Sequence, residues 1–141
     1  MSKTGPILIV EDDTDDKELF EQIIRELHIP NKLIWYDNTD DAFAFLNSTQ
    51  ESLFVIFSDV NMPGQNGLQF KKAIDATPKL RKKSIPFIFY STSAAQPDVN
   101  QAYTEMTVQG FFKKGTDFDK MKQNLKTVFD YWYNCIHPNT N

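Results

Sequence analysis

Acidic side chains occur at two separate places in this sequence, each after a short apolar segment. Glu11, Asp12 and Asp13 follow the first segment, and Asp59 follows a later one with Ser58 between. Carboxylates within a few ångströms of one another repel, so that one binds a proton unless a cation lies between them. Such oxygen ligands suit a hard divalent cation. Mg²⁺ fits best, because it takes only one or two carboxylates and keeps several waters.

Ser91 and Lys114, together with these acids, could form a site for phosphoryl transfer. A lysine can pair with a carboxylate or with an attached phosphoryl group, and a serine hydroxyl can donate to a phosphoryl oxygen. With a divalent cation and Lys114 offsetting charge on the transferring group, Asp59 could attack in line. Taken singly, each group has a plainer explanation: acids cap a helix, Ser91 lies in a turn, and the lysine is a surface charge. The combination favours a phosphoryl-transfer site.

The segments that must position these side chains alternate between two patterns. Predicted strands occupy residues 7–10, 32–36, 53–57, 85–90 and 110–114. Predicted helices follow them at residues 14–27, 39–46, 68–76, 98–107 and 117–132. This alternation predicts one α/β domain over residues 5–134, with helices on both faces of a parallel sheet, and a C-terminal tail at 135–141. Ligands bind beyond the carboxyl ends of such strands, where all these polar groups lie.

Composition sets further bounds on the function. The 141 residues match one domain, and 40% hydrophobic with 24% charged residues is ordinary for a globular protein. The net charge of −4 gives no general attraction for nucleic acid or anionic membranes, and no apolar run is long enough to span a membrane. The single Cys135 cannot form an internal disulfide, which predicts a cytoplasmic location. We interpret the basic run at residues 79–83 as a solvated helix end or loop.

Four stretches carry a resemblance to a known family. They are ILIVEDD at residues 7–13, SDVNMPGQNG at 58–67, FIFYSTS at 87–93 and GFFKKG at 110–115. Through them the chain resembles the receiver domains of two-component response regulators, and the Asp-x-x-Met-Pro-x-x-x-Gly pattern that begins at Asp59 is fairly specific for that family. The resemblance implies a flavodoxin-like, doubly wound (βα)5 domain with strand order 2-1-3-4-5.

The same resemblance implies a role for each site residue. Asp59 would be the phosphoacceptor, with Lys114 and Ser91 acting on the phosphoryl group. Ser91 and Phe111 would form the switch that responds to phosphorylation. The ligands of the Mg²⁺ ion would be Glu11, Asp12, Asp59 and the backbone carbonyl of Asn61.

The resemblance also implies the partners. The donor would be a phosphohistidine of a sensor kinase or phosphotransfer protein. A downstream protein target would bind the face formed by the fourth predicted helix (98–107), the fifth predicted strand (110–114) and the fifth predicted helix (117–132). The same face offers a surface for a homodimer. Tyr131 and Tyr133 lie off the apolar stripe of the last helix, so they would either pack against the C-terminal tail or add exposed aromatic surface there. The chain would be a signalling protein, not an enzyme, with no direct contact to nucleic acid or membrane.

The end of the sequence and two loop features complete the expectations. Residues 137–141 are polar and predict a frayed natural end, so we expect a stand-alone receiver.

Gly115 follows Lys114 where the family usually has proline. A cis bond before a residue other than proline costs about 3 kcal/mol, so we expect a trans bond and a more mobile loop. Asn61 and Ser93 are small or polar, which leaves room for water and predicts a short-lived phosphoryl group.

Three other classes of protein remain open. A haloacid-dehalogenase-type phosphatase also uses an Asp nucleophile, Mg²⁺, a hydroxyl and a lysine, and residues 13–15 superficially supply its Asp-x-Asp pair. However, 141 residues leave no cap domain, and the Asp59 loop stays unexplained. In a flavodoxin-like FMN carrier, the acids at residues 11–13 would repel the phosphate. A receiver-like module that is never phosphorylated would not need the full set of site residues, which is present here.

Overall fold

The computed structural model describes residues 2–62, 64–92 and 95–139, and a five-stranded sheet forms the middle layer of the fold. The strands are β1 (Ile7–Val10), β2 (Leu33–Tyr36), β3 (Val55–Ser58), β4 (Phe87–Ser91) and β5 (Gly110–Lys113). Their order is β2-β1-β3-β4-β5, and every neighbouring pair is parallel. The predicted fold class and strand order are confirmed.

Six α-helices within the described ranges connect or follow the strands. They are α1 (Thr14–Glu26), α2 (Thr39–Ser48), α3 (Gly67–Ala76), α4 (Pro78–Lys83), α5 (Gln96–Glu105) and α6 (Phe118–Asn134), and a 3-10 turn at Ser2–Thr4 precedes β1. The sequence predicted five helices and missed α4. Pro78 does follow the end of α3, but it also begins α4, where the absence of its N–H costs nothing. No described helix has both the length and the apolar character needed to cross a bilayer.

Alternate residues of the strands contribute to two hydrophobic cores on opposite faces of the sheet. Leu8 and Val10 belong to the core that α2, α3 and α5 complete, whereas Ile7 and Ile9 belong to the core that α1 and α6 complete. Strands β1, β3 and β4 are buried along their whole length. Burial on both faces explains why these strands read as uninterrupted apolar runs. The residues that follow them therefore start from a firmly packed backbone.

A buried ion pair ties α3 to the segment before β5. The ammonium of Lys71, whose side chain is 4% exposed, donates to Asp75 Oδ1 at 2.9 Å and to Thr107 Oγ1 at 2.9 Å. The N–H of Thr107 donates to Asp75 Oδ2 at 3.0 Å. Burial lowers the pKa of Lys71, while the adjacent Asp75 carboxylate opposes that shift. The charge on Lys71 therefore depends on its partner.

Removing the carboxylate of this pair should destabilise the protein more than removing the ammonium. Asp75→Ala leaves a buried ammonium without its counter-charge, which should cost about 3 kcal/mol of unfolding free energy. Lys71→Met places an apolar chain of similar length beside the Phe87 ring. It leaves Asp75, the more exposed partner, its two donors from Thr107, so the loss should be smaller, about 1 kcal/mol. Urea unfolding at neutral pH measures both variants. Equal losses would contradict this account.

The C-terminal segment is packed, which corrects the predicted frayed tail. His137 is 1% exposed, and its ring stacks on the ring of Phe54. Its Nε2 lies 2.6 Å from the carbonyl oxygen of Phe54, and its Nδ1 accepts from the N–H of Asn139 at 3.0 Å. The ring is therefore neutral, with its proton on Nε2 donated to Phe54. The frayed-tail prediction is wrong as far as Asn139, and the last two residues lie outside the described ranges.

The buried histidine predicts a pH dependence of stability. Burial lowers the pKa of His137, and the nearby Lys3 charge acts in the same direction. Its contribution is therefore full above the unfolded pKa of about 6.5 and is lost as the pH falls from there through the folded value. Between about pH 7.5 and pH 5, wild type should lose more unfolding free energy than His137→Gln, which keeps a donor but does not titrate. Parallel pH profiles of the two proteins would argue against this role.

Candidate functional site

The carboxyl ends of the strands bring the predicted site residues to one edge of the sheet. Pairing continues one residue beyond β3, where the N–H of Asp59 donates to Val10 O at 3.0 Å. It also continues beyond β5, where the N–H of Lys114 donates to Ser91 O at 2.7 Å. The residues that follow the strands thus keep the spacing of the sheet, and their side chains share one cleft.

Three carboxylates meet at this edge. Glu11, Asp12 and Asp59 each offer an oxygen, and these oxygens all lie within 4.8 Å of one another. Glu11 is 2% exposed and Asp59 is 7% exposed, whereas Asp12 is open to solvent. Close carboxylate oxygens with access from solvent suit a hard divalent cation that keeps part of its water shell. The residues present therefore fit the predicted metal ion.

The main chain after β3 holds the Asp59 side chain and is itself closely packed. Asp59 Oδ1 accepts from the N–H of Val60 at 2.6 Å and from that of Asn61 at 3.3 Å. The N–H of Gly67, at the start of α3, donates to Val60 O at 2.8 Å. A Cβ at Gly67 would lie 2.0 Å from the carbonyl oxygen of Asp59. This close approach of two backbones requires glycine at position 67.

Lys114 lies among the acids with its side chain only 7% exposed. Its Nζ donates to Glu11 Oε1, to Asp16 Oδ2 at 3.1 Å and to Asp59 Oδ2 at 3.3 Å. Burial acts to lower the pKa of Lys114, but the hydrogen bond and charge of Glu11, with the acids beside it, raise the pKa above its ordinary value. Burial raises the pKa of Glu11 to about 7, against the opposing effect of Lys114. One ammonium thus faces an excess of acidic groups, which favours an additional cation.

Asp16 is the contact that sequence reasoning missed. Asp13 is the N-cap of α1, which makes Asp16 the third helical residue and turns it back toward the strand ends. That position could have been derived from the cap, but the contact with Lys114 joins residues 98 positions apart. No local pattern reports such a pairing.

The remaining predicted residues lie around this cluster. Ser91 is completely buried at the end of β4, and Phe111 packs on Phe89 with ring centroids 5.4 Å apart. Asn61 is exposed beside Asp59. The roles expected for these residues stay predictions. The Lys114–Gly115 bond is trans, as are all described peptide bonds, and Ser93 lies outside the described residues.

Comparison with known proteins gives a consistent result. The family model described as response regulator receiver domain matches residues 7–126. Among curated proteins, the response regulator Rcp1 of Synechocystis is 26% identical over 137 residues, covering 92% of this chain and 90% of Rcp1.

Solved structures share the fold. The phosphorylated cyanobacterial phytochrome response regulator RcpA matches with a TM-score of 0.83 and 22% identity, covering 94% of this chain and 97% of RcpA. The receiver domain of the sensor histidine kinase PA1611 of Pseudomonas aeruginosa, which has a magnesium ion in its active site cleft, matches with a TM-score of 0.73 and 18% identity. That match covers 92% of this chain and 98% of the receiver domain.

Proposed function

Because the chain belongs to the response regulator receiver domain family of two-component signalling, we propose that it accepts a phosphoryl group on Asp59 and signals through a change of shape. The donor is a phosphohistidine of a sensor kinase or phosphotransfer protein. A carboxylate oxygen of Asp59 bonds to phosphorus as the bond from phosphorus to the histidine nitrogen breaks. The observation that carries this proposal is the meeting of Glu11, Asp12 and Asp59 beside Lys114.

Each part of the cluster has a task in this proposal. The N–H groups of Val60 and Asn61 fix Oδ1 of Asp59, and Oδ2 lies beside Lys114. The Lys114 ammonium is oriented to pair with a phosphoryl oxygen once the group is attached. Mg²⁺ is the expected cofactor, and it would offset charge on the phosphoryl oxygens when bound. Its ligands would be Glu11, Asp12, Asp59 and the backbone carbonyl of Asn61.

Signalling in this proposal begins at Ser91 and Phe111. A phosphoryl group on Asp59 draws the Ser91 hydroxyl toward it, and Phe111 rotates into the space released. This local event biases a two-state element. Phe111 is only partly buried beside Phe89, and this partial exposure supports such a movement.

The output surface would be the face formed by α5, β5 and α6, in which α5 and α6 are the fourth and fifth helices predicted from the sequence. Tyr103 on α5 is 52% exposed and Tyr131 on α6 is 61% exposed, and exposed aromatic rings are common at protein interfaces. Tyr133 was expected either on this surface or packed against the C-terminal segment. The second is closer to the structure, because its ring packs on Phe54 with centroids 4.8 Å apart and His137 stacks on the same ring. A downstream protein would bind this face, or a second copy of the chain would form a homodimer there.

Intact-mass measurement after incubation with acetyl phosphate tests the proposal. We expect at most one phosphoryl group per chain, with labelling that requires Mg²⁺ and stops at that stoichiometry. A phosphorylated histidine phosphotransfer protein should serve as a donor in the same assay. Continuous release of inorganic phosphate from a monoester would favour the phosphatase alternative. Absence of label from both donors with Mg²⁺ present would reject the proposed role.

A further inference from the structure

Lys114 has a third carboxylate partner that the phosphoacceptor role does not require. Its Nζ lies 3.1 Å from Asp16 Oδ2 and 3.3 Å from Asp59 Oδ2, and it also donates to Glu11. An ammonium has three N–H donors, and three carboxylates surround this one. A phosphoryl oxygen on Asp59 would therefore compete with Asp16 for the same lysine.

The first turn of α1 fixes the backbone of Asp16. The N-cap Asp13 accepts through Oδ1 from the N–H of Asp15 at 2.9 Å and from that of Asp16 at 3.1 Å. Both residues are therefore held by the same cap. The carboxylate of Asp16 reaches Lys114, whereas Asp15 is exposed and forms no salt bridge with the described residues. Asp15 is thus a matched neighbour without the contact.

Asp16 also differs from the other two partners of Lys114. Its side chain is 30% exposed, whereas those of Glu11 and Asp59 are 3% and 8% exposed. A cavity of about 50 Å³ borders both Asp16 and Lys114. If Asp16 lost its charge, the two buried carboxylates would still hold Lys114. The main consequence would be electrostatic, not a collapse of the site.

We propose that Asp16 is a positioning residue that draws Lys114 away from the phosphoryl group and so sets the affinity of the site for that group. The inference rests on the proposed phosphorylation of Asp59. Without the Asp16 carboxylate, which lies 3.1 Å from Nζ, more of the lysine's charge is available to phosphoryl oxygens.

Titration with beryllofluoride and Mg²⁺, a non-covalent substitute for the phosphoryl group, tests this role. Asp16→Asn should bind beryllofluoride about fivefold more tightly than wild type, the effect expected for a partly exposed charge. Asp15→Asn removes the same charge from the same turn and should bind like wild type. Asp16→Glu restores the carboxylate and should return the affinity toward the wild-type value. A change in fold alone would not produce this order.

The same substitution made in a Lys114→Gln protein distinguishes an effect of Asp16 through Lys114 from direct repulsion between Asp16 and the bound anion. In Lys114→Gln, the further change Asp16→Asn should leave beryllofluoride affinity unchanged. If the full gain persists there, or if Asp16→Asn and Asp15→Asn behave alike, or if Asp16→Asn binds more weakly, the inference is overturned. Failure of wild type to bind beryllofluoride or to be phosphorylated is a different result, because it rejects the proposed function itself.

Discussion

Asp59→Asn should abolish phosphoryl labelling by acetyl phosphate or by a phosphohistidine donor. The amide has no anionic oxygen to attack phosphorus, yet it keeps the size of the side chain and an oxygen that can accept from Val60 and Asn61. Of the other described carboxylates at the cleft, Glu11 and Asp16 pair with Lys114 and Asp12 is open to water. None of them has an oxygen held by two backbone N–H groups, as Oδ1 of Asp59 is. Intact-mass spectra should show only the unmodified chain.

The variant should remain folded, which makes the loss interpretable. Lys114 keeps Glu11 and Asp16 as partners, and removal of one acid lowers the repulsion among those that remain. Asp13→Asn is a matched control, because asparagine also caps helices and Asp13 lies outside the group of metal-binding acids. The control should be labelled like wild type. Labelling of Asp59→Asn to the wild-type extent would remove Asp59 from its proposed role.

Gly67→Ala should strongly destabilise the protein. The new Cβ would lie 2.0 Å from the carbonyl oxygen of Asp59 and 3.0 Å from the Cα of Val60. Both contacts are with backbone, so no flexible side chain can move aside. We expect a loss of about 3 kcal/mol or more in the free energy of unfolding. Because the Asp59 peptide must shift, phosphoryl labelling should slow as well.

Gly115→Ala is the matched control for this variant. Its Cβ would have Asp117 N as its nearest neighbour, at 3.9 Å, which is ordinary contact. Chemical denaturation of the two variants should therefore give very different midpoints. If Gly67→Ala were as stable as Gly115→Ala, the loop after β3 and helix α3 would have to separate readily to admit a methyl group, contrary to this account.

The fold and most of the site could be predicted because both depend on local patterns. Strands buried on both faces appear as apolar runs such as residues 7–10, and the polar residue after each run marks the edge where ligands bind. This pattern predicts Glu11, Asp12 and Asp59 as neighbours, and their oxygens do converge. The parallel pairing of β1 with β3 brings the acids after these two strands to the same edge of the sheet.

Two features that local patterns do not predict, the packing of His137 and the position of Asp16, depend on contacts between distant residues. His137 is buried because the carbonyl of Phe54, 83 positions away, needs a donor and its ring offers a stacking surface. Asp16 pairs with Lys114 across 98 positions. Helix α4 was missed for a different reason, since Pro78 ends one helix and begins another, and the sequence signal for both is the same residue. Local periodicity reports neither the contact of His137 with Phe54 nor that of Asp16 with Lys114.

The two tryptophans of the chain lie in different elements, Trp35 in β2 and Trp132 in α6. The indole N–H of Trp35 donates to the main-chain carbonyl of Glu11 at 2.8 Å, and the Lys17 ammonium lies 4.7 Å from the centre of its ring. Trp132 instead contacts the ring of His137. The protein therefore carries two intrinsic fluorophores, one beside the acidic cleft and one beside the packed C-terminal segment. If the cleft binds a metal ion and a phosphoryl group as proposed, emission from Trp35 should change on binding, while Trp132 beside the C-terminal segment provides an internal reference.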